Sequence, residues 1–177
     1  MTEITFRSLD HADLPLMHQW LNEGEAFTWY GRQPTTLEKI TAEYTATIEH
    51  TEPVFGFVIL IDAQPAGYIQ WYLIADHPAY ATQINVPPDS AGVDMFIGEA
   101  RFLHRGYGSA IMRRFLHDVV FADSRNGRCI IDPDERNTIA IRAYEKAEFQ
   151  HLKTVQVGAE PAPSYLMELT REKFQRV

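Results

Sequence analysis

One stretch, residues 92–122, constrains the fold of this chain more than any other. It opens with an apolar run, Val93–Ile97, that contains a single carboxylate, Asp94. A short polar connection leads to RGYGS at Arg105–Ser109, and an apolar pattern of helical period follows. This order predicts a strand, a glycine turn and a helix N-terminus. Backbone N–H groups and the positive end of the helix dipole converge there, so the stretch indicates a phosphate site.

The glycine turn does not identify its ligand by itself. The Walker A pattern GxxxxGK[ST] and the dinucleotide pattern GxGxxG are both absent from the sequence. A GxG at a strand-to-helix junction is equally compatible with a plain turn, so both interpretations stay open at this point.

Before this stretch, segments with helical periodicity are interspersed with strand-like segments. Helices are predicted at Leu14–Leu21, with Asp10 as a cap, and from a Thr35–Glu38 capping box to His50. Strands are predicted at Ile4–Arg7, Phe55–Ile61 and Gly67–Ile74, the last two forming a hairpin around Asp62–Pro65. Trp29, Tyr30 and Gly31 fall in a predicted polar loop, and Ala75–Ala91 is a long connection without clear periodicity.

The residues after the stretch complete an α/β pattern. Strands are predicted at Arg128–Ile131, Phe149–Val157 and Ser164–Leu169, and a helix at Thr138–Ala147. No internal repeat or interdomain linker interrupts the chain. We therefore expect one domain, residues 1–177, in which most strands form one mixed sheet with helices on its faces.

The amino-acid composition limits the classes of partner that we expect this protein to bind. Sixteen Lys and Arg against 24 Asp and Glu give a net charge of −8, which disfavours nucleic acid and suits a cationic small substrate. Cys129 is the only cysteine, no apolar run approaches the length of a membrane span, and the start has no signal-peptide pattern. His77, His104 and His117 lack metal-ligand spacing and are expected on the surface or in loops. We expect a cytoplasmic protein with no metal and no membrane partner, and the oligomeric state stays open.

A second pattern lies in the last predicted helix. Asn137, Ala140 and Tyr144 are spaced by three and four residues, so they share one helix face. Taken alone, the spacing favours an N-cap asparagine followed by a core tyrosine over a catalytic role.

Together these motifs resemble a known family. The GxG turn, the short strand and N-x-x-A-x-x-x-Y-E-K-A resemble the acetyl-CoA motifs of the GCN5-related N-acetyltransferases (GNAT). Within that superfamily the chain is most similar to the aminoglycoside 6′-N-acetyltransferases. That similarity is carried, in order, by WLN (20–22), the W-aromatic-G (29–31), PAGYIQWY (65–72), GVD (92–94), DP (132–133) and RAYEKAEF (142–149).

The resemblance implies a GNAT fold, with a mixed, mostly antiparallel sheet that splays apart at the acetyl-CoA site. It also implies the residues that contact the cofactor, which are Phe96, Ile97, His104, Arg105, Gly106, Tyr107, Gly108, Ser109, Asn137 and Ala140. The pyrophosphate would lie on the turn amides, and the backbone around Phe96 and Ile97 would pair with pantetheine. Tyr144 would face the sulfur of the cofactor.

Acetyl transfer to an amine requires a neutral nucleophile and a stabilised thiolate. Tyr144 is the expected proton donor to sulfur. Asp94 is expected to attract the substrate ammonium and accept its proton, directly or through water, in a ternary complex. Because an ordinary carboxylate is a weak base for an amine, burial or a neighbouring carboxylate would have to raise its pKa. Cys129 precedes an apolar strand segment and is a poor acyl-enzyme nucleophile.

An aminosugar acceptor needs carboxylates for its ammonium groups and flat surfaces for its rings. The residues expected to supply them are Trp29, Tyr72, Asp94 and Asp132, although both aromatics would also suit a core. Asp134 and Glu135 are expected to be a solvated charge pair at a helix N-terminus, and Asp76 lies in the long connection.

The chain departs from the family pattern in three places. Leu103 stands where Gln or Arg is usual, Glu148 replaces a glycine, and Ala75–Ala91 lacks a tryptophan and glutamate cluster. The last of these departures weakens the aminoglycoside assignment, and two alternatives stay open. One is an acetyltransferase for lysine, siderophore amines or peptides, and the other is a non-catalytic CoA-binding module.

Overall fold

The structure, a computed structural model, describes residues 2–176. The strands are β1 (Ile4–Ser8), β2 (Val54–Ile61), β3 (Gln64–Leu73), β4 (Ser90–Ile97), β5 (Arg128–Ile131), β6 (Gln150–Val155) and β7 (Ser164–Thr170). The α-helices are α1 (Leu14–Asn22), α2 (Gly24–Ala26), α3 (Leu37–Ile48), α4 (Pro78–Ile84), α5 (Tyr107–Phe115), α6 (Thr138–Lys146) and α7 (Arg171–Phe174). Nearly all strands and helices predicted from periodicity are confirmed, with small shifts at their ends.

The seven strands form one sheet in the order β1-β2-β3-β4-β5-β7-β6. β1 with β2, β5 with β7 and β6 with β7 are antiparallel, whereas β4 and β5 are parallel. A mixed, mostly antiparallel sheet accompanied by helices is the predicted fold class, and the structure confirms it.

The chain folds into two compact units, of which the first comprises residues 2–70 and 95–107. Its core includes Met17, Trp20 and Leu21 of α1, whose spacing of three and one residues places all of them on the buried face. Trp20 meets the ring of Phe96 edge-on at 6.2 Å, and its indole N–H donates to Glu99 at 3.1 Å. The tryptophan of the WLN motif therefore has a structural role.

The second unit comprises residues 71–94 and 108–176. One cluster of its core is formed by Ile74, Ile84, Ile130 and Leu166, against which Tyr72 and Tyr80 pack. The helix after the glycine turn buries Ile111, Met112 and Phe115, as its helical period predicts. A π-helical turn at Leu116–Val120 continues α5.

The ladder between β4 and β5 is short. It covers Ser90–Arg128, Ala91–Cys129 and Gly92–Ile130, although β4 continues to Ile97 and β5 to Ile131. The two strands therefore stop pairing just before Asp94.

Two local predictions are wrong. Trp29–Gly31 is not a loop, because α2 and a π-helical turn at Phe27–Gly31 continue the helical backbone. Thr36 rather than Thr35 caps α3 by accepting from the Lys39 N–H at 3.4 Å. The backbone N–H of Thr35 instead donates to the side chain of Asn22 at 2.9 Å.

The connection Ala75–Ala91 is also more ordered than its sequence suggests. It contains α4, which begins at a proline and ends before the left-handed Asn85, and its last two residues belong to β4. Seven residues make too few turns for a helical period to be visible in the sequence. Within residues 2–176, no helix is both long and apolar enough to cross a membrane.

Candidate active site

Two carboxylates lie on one face of the parallel strands β4 and β5. Gly92 is paired with Ile130, and Asp94 and Asp132 each follow that pair by two residues. Because side chains alternate along a strand, residues two apart point to the same face. The register therefore brings both acids to the same face, at neighbouring strands and at the point where pairing ends. The charge of Asp94 accordingly acts on Asp132.

The surroundings of Asp132 favour its protonated form. Burial has the largest effect, the charge of Asp94 comes second, and together they raise the pKa of Asp132 to about 7. The hydroxyls of Tyr80 and Ser164 donate to this carboxylate and act in the opposite direction. Asp132 is therefore partly protonated near neutral pH.

The ring of Tyr72 lies close to the backbone of β4 at Gly92. A Cβ on Gly92 would come within 2.6 Å of the Tyr72 ring, so only glycine permits this approach. The missing side chain of Gly92 would point to the same face as Asp94. Burial, followed by the charge of Asp94, raises the pKa of the Tyr72 phenol well above its ordinary value. The predicted substrate residue Tyr72 therefore lies beside the two acids.

Tyr80 belongs to the same group, and the sequence reasoning missed it. Its hydroxyl donates to Asp132 and accepts from the hydroxyl of Tyr72, and the two rings meet at 6.4 Å. Burial, followed by the charges of Asp132 and Asp94, raises the pKa of Tyr80. The only signal in the sequence was the proline that opens α4, because proline favours the first helical turn.

Tyr144 is buried on α6 and faces both acids. The side chain of Asn137 accepts from the Ala140 N–H at 3.1 Å, so the N-cap interpretation of Asn137 is confirmed. Tyr144 follows the cap by two helical turns and is 5% exposed. Burial raises the pKa of its phenol, and the charges of Asp94 and Asp132 raise it further. The phenol therefore keeps its proton at neutral pH.

The glycine turn has a left-handed backbone at two positions directly before α5. His104 and Gly106 have positive φ angles of 58° and 82°, and α5 begins directly afterwards at Tyr107. The first turn of a helix presents N–H groups for which the helix has no acceptor, and these suit a pyrophosphate. His104 and Arg105 are exposed. Gly108 has another role, since a Cβ there would lie 3.3 Å from the Cβ of Ala143.

The other two predicted cofactor residues, Phe96 and Ile97, end strand β4 in the first unit. Phe96 is buried against Trp20, Tyr30 and Tyr68. The hydroxyl of Tyr30 donates to the Met95 carbonyl at 2.6 Å and accepts from the Met95 N–H at 3.2 Å.

The remaining predicted residues have structural or exposed positions. The indole of Trp29 donates to Glu25 at 3.0 Å, and Asp76 and Glu135 are exposed. The expectation for Asp134 is wrong, because its side chain is 5% exposed, is paired with Arg136, and precedes α6 by several residues. Cys129 is fully buried, and burial raises the pKa of its thiol.

The histidines differ from one another. His77 lies in the connection directly before α4, which is one of the two expected positions, with its ring edge-on to Tyr72 at 4.9 Å and its Nε2 buried. His104 and His117 are exposed. Among residues 2–176, no three potential metal ligands come together.

This arrangement of sheet, glycine turn and buried tyrosine is that of a GNAT acetyltransferase. Residues 10–157 match the acetyltransferase (GNAT) domain family, which is most of the chain, so the chain belongs to that family. It is 27% identical over 175 residues to the aminoglycoside N(6′)-acetyltransferase type 1 of Klebsiella pneumoniae, covering 98% of this chain and 86% of the relative.

Two further similarities differ in coverage. The crystal structure of AAC(6′)-Ib in complex with coenzyme A and kanamycin has a TM-score of 0.87 and 28% identity, with 99% of both chains covered. A lysine N-acyltransferase, MbtK of Mycobacterium sp. (strain MCS), is 27% identical over 140 residues, which is 77% of this chain and 54% of the relative. The predicted resemblance to the aminoglycoside 6′-N-acetyltransferases is confirmed.

Proposed function

We propose that this protein is an acetyl-CoA-dependent N-acetyltransferase that acetylates a primary amine of a cationic small molecule, the 6′-amine of an aminoglycoside. One observation carries the proposal: the register of β4 and β5 brings Asp94 close to Asp132, which follows the end of β5, and the charges of both act on the buried phenol of Tyr144. The relatives that act on aminoglycosides, and the neighbour that holds coenzyme A and kanamycin, support it.

Asp94 is the proposed proton acceptor on the amine side. An ammonium group must lose a proton before its nitrogen can attack the thioester carbonyl. A lone carboxylate has little affinity for that proton, but a second carboxylate nearby raises the proton affinity of the pair. Asp94 would accept the proton directly or through water, while Asp132 holds the acceptor by a charged contact. The −8 charge of the chain favours the approach of a polycation.

Tyr144 is the proposed acid on the sulfur side. Acetyl-CoA supplies an acetyl thioester, whose sulfur must be protonated or hydrogen-bonded as it leaves. The raised pKa of Tyr144 keeps the phenol in its donating form. A direct transfer needs no acyl-enzyme, which agrees with the buried and protonated thiol of Cys129.

The roles of the remaining residues are proposed from the family resemblance. The cofactor would be held by the turn and by α6 through Gly106, Ser109 and Asn137, and by the backbone of Phe96 and Ile97. Tyr72 and Trp29 would provide aromatic surface for the acceptor. The family match extends over segments of both compact units, which supports a single acetyltransferase domain. The unpaired Cys129 suits a cytoplasmic location.

A CoA-release assay tests the proposal. The panel pairs kanamycin with an aminoglycoside that carries a hydroxyl at the 6′ position, and adds free lysine and a lysine-containing peptide. We expect release with kanamycin and none with the 6′-hydroxyl compound. Equal release with both aminoglycosides would contradict 6′ specificity, and binding of CoA without turnover on any amine would favour a non-catalytic module.

A second candidate is acylation of a lysine side chain. The similarity to a lysine N-acyltransferase favours it, as does a connection between β3 and β4 that carries Tyr80 and no tryptophan or glutamate. Turnover of the lysine compounds without turnover of kanamycin would establish this candidate in place of the first.

A further inference from the structure

Three side chains of the second unit form a hydrogen-bonded row. The hydroxyl of Tyr72 on β3 donates to the hydroxyl of Tyr80 on α4, which donates to the carboxylate of Asp132 after β5. The rings of Tyr72 and Tyr80 meet nearly edge-on at 6.4 Å. Each member of the row is therefore oriented by the next.

The helix that carries Tyr80 is short but anchored at several points. Ile84 is fully buried, and Tyr80 packs on the same apolar cluster. At the end of the helix, the side chain of Gln83 accepts from the Gly158 N–H at 2.7 Å. The ammonium group of Lys153 donates to the Asn85 carbonyl at 3.0 Å. These contacts hold Tyr80 at a defined position, as a group that orients a carboxylate must be held.

Asp132 is faced from five elements. Asp94 comes from β4, Tyr72 from β3, Tyr80 from α4, Tyr144 from α6 and Ser164 from β7. The charge of Asp94 opposes ionisation of Asp132, whereas the hydroxyls of Tyr80 and Ser164 favour it. The Tyr80 hydroxyl comes from α4, in the connection between β3 and β4, and not from a strand of the sheet.

We propose that Tyr80 is a positioning residue for the acceptor amine, which acts by orienting Asp132 and holding it ionised. The inference rests on the proposed role of Asp132 in binding the acceptor. Tyr80 does not take part in the transfer itself. Its hydroxyl determines how much of Asp132 is available as a carboxylate to meet an ammonium group beside Asp94. Because Tyr80 lies on α4, this helix influences the affinity of the protein for the acceptor amine.

Tyr80→Phe tests this role because it keeps the ring and removes only the hydroxyl. Loss of this hydrogen bond raises the pKa of Asp132, since the bond favours the ionised form. We expect KM for kanamycin to rise about tenfold at pH 7, with kcat changed less than threefold and KM for acetyl-CoA unchanged. The increase in KM is larger at pH 6 than at pH 8. Tyr165→Phe, on β7 with its ring stacked on His151, is the matched control and leaves all three parameters unchanged.

A double-mutant cycle separates this role from simple packing. If Tyr80 acts through Asp132, Tyr80→Phe adds nothing to KM once Asp132→Asn is present. A tenfold increase that persists in the Asp132→Asn background would overturn the proposal. So would a wild-type KM for folded Tyr80→Phe. Tyr72→Phe removes the preceding bond of the row and should act in the same direction with a smaller effect.

A readout independent of turnover distinguishes failure of this inference from failure of the proposed function. The side-chain carboxyl resonance of Asp132, followed by 13C NMR against pH, should titrate at higher pH in Tyr80→Phe than in wild type. An unchanged titration would overturn the role of Tyr80 whichever amine the enzyme uses. Conversely, if the titration is shifted but the protein acetylates none of the amines in the CoA-release assay, the proposed function is refuted. The effect of Tyr80 on the pKa of Asp132 then still stands.

Discussion

Asp132 and Asp134 stand two residues apart but differ in what surrounds their charge. Asp134 accepts from the backbone N–H of Arg136 at 2.9 Å and pairs with its guanidinium at 2.6 Å. Asp132 accepts from the hydroxyls of Tyr80 and Ser164 and faces the carboxylate of Asp94. Asp134 thus has its counter-ion within the chain, whereas Asp132 has hydrogen-bond donors and a like charge.

The difference shows how an acid held for structure is distinguished from one available to a ligand. An arginine neutralises a carboxylate, as Arg128 also does with Asp89 and Glu168. Hydroxyl donors stabilise a carboxylate without cancelling its charge. A second carboxylate nearby makes the local potential more negative, so a cation binds there more favourably. We therefore expect a cationic substrate to supply the counter-ion for Asp132 and to leave Asp134 unaffected.

Asp94→Asn should have the largest effect, because it removes both the proton acceptor and one of the two charges that attract the acceptor. We expect kcat/KM for kanamycin to fall about 1,000-fold, with CoA binding retained. Initial rates and calorimetric titration with CoA measure the two quantities. A fully active variant would remove Asp94 from the chemistry.

Tyr144→Phe tests the buried phenol next to the acid pair. The variant keeps the ring and loses the proton donor to sulfur, so kcat should fall about 100-fold while KM for acetyl-CoA stays within twofold. Steady-state kinetics with both substrates varied provides the measurement. If kcat is unchanged, another group or water protonates the thiolate.

Asp132→Asn should weaken acceptor binding yet stabilise the protein. KM for kanamycin should rise at least tenfold because a charged contact is lost. The folded state raises the pKa of Asp132 from 3.8 to about 7, so the native protein binds more protons than the unfolded chain between these values. Wild-type stability therefore falls as pH rises through this window, and the variant escapes that loss.

Denaturant unfolding at two pH values measures the gain in unfolding free energy expected for Asp132→Asn. The variant should be more stable than wild type by roughly 2 kcal/mol at pH 8, and the difference should vanish near pH 4. A gain of equal size at both pH values would show that the cost of ionising the buried Asp132 beside Asp94 is not its cause.

Asp134→Ala should do the opposite of Asp132→Asn and have the smallest effect on activity. Loss of the turn contacts should cost about 1 kcal/mol of unfolding free energy, because the guanidinium of Arg136 is 56% exposed and can return to water. KM for kanamycin should stay within twofold. An increase in KM comparable to that of Asp132→Asn would erase the distinction between the two acids.

Local patterns predicted the elements better than the contacts between them. The β-rich run of β2 and the helical face of α5 follow directly from the sequence pattern, and the N-cap position of Asn137 was one of the two interpretations that its spacing left open. Tyr80 could not be found in this way, because its partners Tyr72 and Asp132 belong to two different strands. The state of Asp134 likewise depends on an arginine two residues later that folds back onto it, which a charge pattern does not reveal.

The central claim, that the acid pair receives a cationic amine, is tested most directly by proton exchange on binding. Calorimetric titration of the CoA-bound enzyme with kanamycin at pH 7, in two buffers of different ionisation enthalpy, counts the protons released. Because a bound ammonium favours ionised Asp94 and Asp132, wild type should release more protons than Asp132→Asn, and Asp134→Ala should match wild type. Equal proton release by wild type and Asp132→Asn would contradict the account.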